Sequence, residues 1–456
     1  MSTKGIMGSA LESKLLKALA SRDERWIRRR LPDPNTSPSS TSIHQLVDFN
    51  SNDYLSLTKS SALRDLVLKR LSEAPDILGS GGSRLLVNGR AHAALEERLR
   101  SFFNAEAALL FNSGFDANVG FFSCIPQPGD VLVYDEFIHA SVHDGMRSSR
   151  VSQDSRFSFR HNDVTELRKV LLRLSSTRDD LREGKSSVFV SVESLYSMDG
   201  TFSPLKEMVE AIEETFPLRN AYLIVDEAHS TGVYGPQGRG RVAMLDLEDR
   251  VLARLHTFGK ALAATGAVIA TNTLIRDYML NYARSLIYTT SLSYTNIIAA
   301  DCSFDMLVDG TAQHLANHLF SLSSHLVSTL GGLLSARNIP PSLVRLPQDL
   351  YPPTSGPKSP IIPILTPHPR PLSAYLLALG MNARPITWPT VPKGHDRVRV
   401  CLHAGNTQEE VDRLIQGVLG WAEEVMSAGP STKSSKPSHS VIRGTSASLE
   451  PLQSKL

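Results

Sequence analysis

One lysine, Lys260, is the only formal charge in the fifteen residues HTFGKALAATGAVIA (256–270), and it directly follows a glycine. An amine in an apolar turn loses hydration, which disfavours its ammonium form, lowers its pKa and frees it to attack a carbonyl. The chemistry that suits such a lysine is a Schiff base with a carbonyl cofactor. Pyridoxal phosphate (PLP) then requires a carboxylate for its ring nitrogen and donors for its phosphate. The sequence has candidates for each. LIVDEAH (223–229) stops an apolar run on Asp226, Glu227 and His229, and VLVYDEFIHASVHDG (131–145) places His139 and His143 after another. Asp226 can serve the ring nitrogen. NSGFDAN (112–118) can present backbone N–H groups of Ser113, Gly114 and Phe115 at a helix start, and Thr257 can add a hydroxyl. Either polar cluster alone reads equally well as a satisfied hydrogen-bond network at a strand end. Their coincidence with Lys260 favours a site.

Apolar runs that would position these residues recur along the chain. ALLFNS (108–113), DVLVYD (130–135), SVFVSVES (187–194), AYLIVDEAH (221–229) and GAVIATN (266–272) read as buried strands. Between them lie helical patterns such as AHAALEERLRSFF (91–103) and PLKEMVEAIEETF (204–216). This alternation predicts an α/β fold with a large, mostly parallel sheet covered by helices, whose ligands bind beyond the strand carboxyl ends. A smaller C-terminal α/β unit is expected to end in the strand DRVRVCLHAG (396–405) and the helix TQEEVDRLIQGVLGWAEEVM (407–426). The predicted boundaries are 1–60 for an N-terminal helix and linker, 61–300 for the large domain, 301–427 for the small domain and 428–456 for a tail. Residues 8–30 carry helical apolar spacing, PDPNTSPSSTS (32–42) reads as a linker, and the Pro-rich stretch 339–360 reads as an irregular insertion. The tail is too rich in Ser, Lys and Pro to build a core, so disorder is expected there.

Composition narrows the partners. With 48 basic against 46 acidic residues the net charge is +2, which offers no footprint for nucleic acid or an anionic membrane and favours a small-molecule partner. Cys124, Cys302 and Cys401 are far apart in apolar surroundings and read as reduced, buried thiols. No run of eighteen apolar residues occurs, the first 26 residues lack the apolar core of a secretory signal, and Glu12, Asp23 and Glu24 interrupt what could be a transit peptide. A soluble intracellular protein is expected.

In order along the chain, NSNDYLSL (50–57), GSGGSR (79–84), NSGFDAN, IHASVHDG (138–145), ESLYSMDG (193–200), VDEAHSTGVYGPQGRG (225–240), TFGKALA (257–263) and LIYTTS (286–291) resemble motifs of the α-oxoamine synthases, a family of fold-type I PLP-dependent transferases. The likeness runs through residues 45–425. It implies Lys260 as the Schiff-base lysine, Asp226 as the partner of the ring nitrogen and His139 as the imidazole stacked on the ring. It further implies Ser197 and His229 at the phenolic oxygen, and Ser113, Gly114, Phe115 and Thr257 at the phosphate. Thr289 and Thr290 would come from a neighbouring subunit, implying a homodimer with a shared active site. Arg399 would grip the amino-acid carboxylate, a task that suits a planar guanidinium; Asn52 and Arg84 would add substrate contacts. One departure stands out: relatives read IRPPTVP where this chain reads ITWPTVP (386–392), so Thr387 replaces an arginine whose role would pass to a neighbour such as Arg384.

The activity implied is condensation of L-alanine with an acyl-CoA, pimeloyl-CoA being the expected donor, with loss of carbon dioxide and coenzyme A. Family members acting on glycine or serine, or on another acyl chain, are the rivals. A chemically different reading takes His139, His143, Asp226 and His229 as a zinc or iron site; it leaves Lys260 and NSGFDAN without a purpose, and no metal is expected. The last residues, Ser454, Lys455 and Leu456, match a peroxisomal address, which implies an import receptor as a partner.

Overall fold

The computed structural model describes residues 9–25, 27–31, 46–347 and 356–428. The linker 32–42, part of the Pro-rich insertion, and the tail with Ser454, Lys455 and Leu456 lie outside the described residues. Contacts divide the chain into two units between Gln45 and Leu46. In the first, Ser9 starts a helix over Ala10–Glu24 by accepting the Glu12 N–H on its hydroxyl, and no side chain of this helix is buried.

Strands β1 (Val47–Asp48), β2 (Ala107–Phe111), β3 (Val131–Asp135), β4 (Arg156–Phe159), β5 (Val188–Glu193) and β6 (Ala221–Asp226) belong to the second unit. So do β7 (Ala253–Thr257), β8 (Ala267–Thr271), β9 (Ile361–Leu365), β10 (Met381–Asn382), β11 (Arg384–Ile386) and β12 (Arg397–Cys401). Seven of them form one sheet in the order β2-β8-β7-β6-β5-β3-β4, parallel except that β8 runs against both neighbours. Alternate residues explain why both faces are covered. Leu132 and Ile224 pack with Phe121 and Val142 on one side, while Val131, Val133, Leu223 and Val225 meet Leu167, Met208 and Ile212 on the other. Near-continuous apolar strands are what a sheet buried on both faces requires.

The small antiparallel sheet β11-β12-β9 lies near the C-terminal end, followed by the helix Gln408–Ser427, which Thr407 and Glu410 cap reciprocally. Residues 46–57 do not stand apart as part of an N-terminal segment ending at 60. β1 pairs with β10, Phe49 O accepts the Cys401 N–H at 2.8 Å, and Tyr54 O accepts that of Ala404 at 2.7 Å. The helix Thr311–Ala336 is long and apolar enough to cross a bilayer by composition alone, yet it buries Leu319, Leu322, Leu326 and Leu330 in the core. All three cysteines are buried and free.

Two strands of the seven-stranded sheet have no counterpart among the predicted ones, nor do β1, β9, β10 and β11 outside it. β4 (RFSF) sits at the sheet edge, and β7 (ARLHT) is interior but carries Arg254 and His256, which break its apolar reading. His256 is sealed by stacking on Phe103 with ring centroids 3.8 Å apart, and Thr231 Oγ1 holds its Nδ1 at 2.9 Å. The core accommodates a neutral imidazole here because burial pushes its pKa well down.

Candidate active site

β3, β5, β6 and β7 run parallel, so their carboxyl ends share one edge, where Glu193, Asp226 and Thr257 are terminal residues. The turn joining β7 to β8 carries Lys260. Phe258 N–H donates to Gly266 O at 2.9 Å, and Ala264 N–H returns to Phe258 O at 3.0 Å. Ala263, whose N–H reaches Lys260 O at 3.0 Å, has φ of +51°, a conformation that costs an L-residue about 1–2 kcal/mol. Lys260 itself is half-buried. Enclosure by protein, aided by the charge of Arg399, lowers the pKa of its amine, while Asp226 and Glu193 oppose the shift.

Asp226 is 8% exposed and held by two donors, Asn118 Nδ2 at 2.8 Å and the Ala228 N–H at 2.9 Å. The other Asn118 amide hydrogen points to Ser141 Oγ at 3.0 Å. Ser141 Oγ lies 2.7 Å from His139 Nδ1, which also accepts the Ser141 N–H at 3.2 Å. Since Ser141 Oγ accepts from Asn118, its own proton goes to Nδ1, and the proton of a neutral His139 is left on Nε2. Burial among neighbours lowers the His139 pKa, Lys260 adds to this, and Asp226 opposes it. The imidazole caps the helix Ala140–Arg147 and stays exposed on its other side.

A second chain of contacts converges from the small sheet. Arg399, 7% exposed, donates to Ser197 O at 2.5 Å and to Asn52 Oδ1 at 2.9 Å. Tyr54 Oη stands 2.6 Å from His229 Nδ1 and 3.3 Å from Asn52 Oδ1. The shorter contact, to an oxygen whose pKa burial pushes well up, takes the phenolic proton, so the His229 proton also resides on Nε2. Burial pushes the pKa of His229 well down, helped by Lys260 and Arg399. Ser197 sits in a turn locked by Gly200, where φ is +68° and a Cβ would meet Ile361 O at 2.0 Å.

His229 and His256 set an acid limit on stability. Their folded pKa values are depressed, so below the ordinary histidine range the unfolded chain binds protons that the folded chain refuses, and stability falls as pH falls. Each should remove about 1.4 kcal/mol per pH unit below roughly 6.5. Urea midpoints measured from pH 7.5 to 5.5 should decline steeply, and His256→Gln should flatten the slope by about one proton. An unchanged slope in that variant would contradict the buried neutral imidazole.

At the end of β2, Ser113 caps the helix Gly114–Cys124, and its hydroxyl accepts the Asp116 N–H. A Cβ on Gly114 would lie 3.5 Å from Thr257 Cβ and 3.6 Å from its Oγ1, which places the Thr257 hydroxyl beside the free N–H groups of the first helical turn. Phe115 is 45% exposed. Thr289 and Thr290 lie next to this turn in their own chain, where Asn112 Nδ2 donates to Thr289 Oγ1 at 3.3 Å and to Thr290 O at 2.6 Å.

Two predicted substrate contacts fall elsewhere. Arg84 is not available to a carboxylate ligand: it is 8% exposed, and its guanidinium forks onto Glu96 at 2.8 and 2.9 Å with Asn88 at 2.8 Å. Arg384 faces Arg399 across the β11-β12 pair, on the same side of the sheet, but is exposed. Thr387 Oγ1 accepts from Arg370 at 3.2 Å. Glu227, beside Asp226 in sequence, is fully buried on a structural errand, accepting from Ser194 at 2.7 Å and from the Arg241 and Val242 N–H groups at 3.0 and 2.7 Å. His143 packs edge-on against Tyr134, and among the described residues no group of three or more His, Cys, Asp or Glu is arranged to hold a metal.

The motifs contained Asn118, Ser141, Tyr54 and Glu193 without revealing their roles. Glu193 is 3% exposed and adjoins Asp226 in register; burial and the Asp226 charge push its pKa well up, while Lys260 opposes the shift. The donor set fits PLP. Lys260 supplies the amine, Asp226 a fixed acceptor for a ring N–H, His139 a ring to face it, His229 an Nε2–H, and the turn after β2 with Thr257 a phosphate cradle.

Comparison with known proteins agrees. The family described as aminotransferase class I and II matches residues 44–418. The chain is 44% identical over 418 residues, 91% of its length and 97% of the relative's, to 8-amino-7-oxononanoate synthase of Emericella nidulans. It is 39% identical over 389 residues, 83% and 82% of the two chains, to the aminoacyl transferase sphA of Aspergillus fumigatus. Among solved structures, Sphingomonas wittichii serine palmitoyltransferase superposes with a TM-score of 0.75 at 25% identity, covering 92% of this chain and all of that one. A structure of SPT with PLP gives 0.76 at 25% identity with the same coverage. The chain belongs to the aminotransferase class I and II family, as a fold-type I transferase that works with PLP.

Proposed function

We propose that this chain is an 8-amino-7-oxononanoate synthase, joining L-alanine to pimeloyl-CoA with release of coenzyme A and carbon dioxide, a step of biotin biosynthesis. The observation that carries the reading is the convergence of a cofactor-type lysine, Lys260, with a buried carboxylate grip, Arg399 on Asn52, at one strand-end cluster. PLP, when bound, supplies an electron sink for the pair of electrons left at Cα. The protein does the rest. Arg399 holds the alanine carboxylate, bidentate capture being the strength of a guanidinium. Lys260, its pKa lowered, takes the Cα proton as a free amine and returns one after carbon dioxide has left. Asp226, fixed by Asn118 and Ala228, would keep a proton on the ring nitrogen of the bound cofactor, and His139, aligned by Ser141, would face the ring. In the balanced reaction the alanine Cα bonds to the thioester carbonyl carbon, coenzyme A leaves as its thiol, and the carboxylate leaves as carbon dioxide.

The likeness to two sphA aminoacyl transferases, 37% and 39% identical, supports a second reading in which the same site serves a different acyl chain. Coenzyme A release measured across amino acids and acyl-CoAs separates them. Preference for L-alanine with pimeloyl-CoA is the expected result, and preference for glycine or serine would overturn it.

A homodimer belongs to the same proposal. Leu78, Leu85, Leu86 and Tyr288 are exposed on segments tied together by Ser291 N–H to Gly82 O at 3.0 Å and Tyr294 N–H to Leu78 O at 2.9 Å. That surface adjoins Asn112 and the phosphate turn, so a second copy would cover apolar area and reach the site. The Ser454-Lys455-Leu456 sequence supports a peroxisomal address; entry of a fusion lacking these three residues would contradict it.

A further inference from the structure

A cleft of about 330 Å³ opens beside Ser197, between the loop that follows β3 and the strip 388–392. Its inner end belongs to the site: Arg399 Nε donates to Ser197 O, and Ile138 immediately precedes His139. Its walls mix polar and apolar groups, and the apolar ones face each other, Phe137, Ile138 and Met198 on one side and Trp388 and Val391 on the other. Phe137 is braced by stacking on His161 with centroids 4.6 Å apart, and His161 is pinned between Asp135 and Thr201. Trp388 is 41% exposed, and Lys393 Nζ lies over its ring, 5.4 Å from the centroid.

Of the two acids lining the cleft, Asp199 pairs with Arg397 at 2.5 Å and exposed Glu136 accepts the His161 backbone N–H at 3.0 Å. The cation nearest the outer wall is Lys393, over Trp388. Lys393 is exposed and makes no ion pair among the described residues. A group with an apolar body and a terminal anion matches this arrangement from Ser197 outward.

Size selects further. At about 30 Å³ per heavy atom, the share of one water in the liquid, the cleft takes roughly eleven heavy atoms. A seven-carbon dicarboxylic acyl group, with seven carbons and three oxygens, needs about 300 Å³, and a sixteen-carbon acyl group about 500 Å³ on the same basis.

We propose that this cleft is the acyl subsite, that Trp388 limits the chain it accepts, and that Lys393 binds the far carboxylate of a dicarboxylic acyl group. The inference rests on the acyl-CoA reading above and adds what recognises the donor. Trp388 supplies a flat, stiff wall for the methylenes, and Lys393, freed from other anions, supplies the charge-assisted bond that an uncharged chain end cannot make.

The test is coenzyme A release by the PLP-loaded enzyme with L-alanine and three thioesters: pimeloyl-CoA, heptanoyl-CoA of the same length without the carboxylate, and palmitoyl-CoA. For the wild type, KM for pimeloyl-CoA should be at least about tenfold below that for heptanoyl-CoA. Lys393→Gln should bring that ratio near one and Lys393→Arg should keep it, a split that mere loss of folding would not produce. Trp388→Ala should raise KM for both seven-carbon donors and improve palmitoyl-CoA relative to them. A wild type that prefers heptanoyl- or palmitoyl-CoA overturns the proposal, as do Lys393 and Trp388 variants with unchanged ratios in an enzyme that turns over pimeloyl-CoA. A wild type that uses no acyl-CoA overturns the function itself.

Discussion

Lys260→Ala should lose turnover by at least roughly 10⁴-fold, because one side chain both anchors the cofactor and carries the Cα proton. The two losses cannot be made up nearby. Glu193, adjoining Asp226, is a buried acid whose pKa is pushed well up, and His139 Nδ1 is already occupied by Ser141. Coenzyme A release under saturating substrates measures the loss, and the visible absorbance of the lysine-bound cofactor should vanish with it. Folding should survive, since a half-buried amine in a turn contributes little apolar burial. Lys260→Arg is the sharper control. Arginine keeps a positive charge among Asp226, Glu193 and Arg399 but cannot give up its proton at any working pH. If charge were what the site needed, Arg would rescue; if a nucleophilic amine is needed, Arg should be as inactive as Ala. A Lys260→Ala enzyme with activity within about tenfold of wild type would remove the lysine from its assigned role.

The strand ends were readable because apolar runs declare a buried parallel sheet, and polar residues at the ends of such runs are where ligands meet it. Asp226 and His139 followed from that logic and Lys260 from its lone charge in an apolar turn, and the five strands predicted for the large sheet agree with the structure to within a residue or two at most ends. What escaped is long-range pairing. Tyr54 meets His229 across 175 residues and Asn52 meets Arg399 across 347, and no local pattern encodes such contacts. Asn118 escaped for another reason: it lies inside the helix Gly114–Cys124, where a polar residue reads as a helix position rather than as a ligand to Asp226. β7 was hidden by its own cargo, since Arg254 and His256 are buried in a strand that a hydropathy reading expects to be apolar. Arg84 shows the converse. The family resemblance implies a substrate contact there, and only the fold reveals that Glu96 on the next helix already pairs with it.

Asp226→Asn is the second large loss, expected at roughly 10²–10⁴-fold in turnover with substrate binding much less affected. The substitution keeps size and removes charge, but it also disturbs hydrogen bonding in a defined way. Both Asp226 oxygens accept, one from Asn118 Nδ2 and one from the Ala228 N–H. An asparagine offers one oxygen and one NH₂, so one of these donors must face another donor, with a penalty of about 1–3 kcal/mol for the group left unpaired. The ring nitrogen loses the carboxylate that holds its proton, and that loss appears in turnover. Asn118→Ala separates the two effects. It leaves the charge of Asp226 in place, removes one of its two donors, and frees the Ser141 hydroxyl that orients His139. A loss of about tenfold is expected there, corresponding to about 1.4 kcal/mol of positioning. The double variant tests whether Asn118 acts through Asp226: combined with Asp226→Asn it should cost little more than Asp226→Asn alone, because residues in one network are not additive. If the losses instead multiply, Asn118 serves the site through Ser141 and His139 independently of the carboxylate. If Asp226→Asn keeps turnover within about threefold, the proton on the ring nitrogen is held by another group, and Glu193, adjacent in register and buried, is the group the geometry offers.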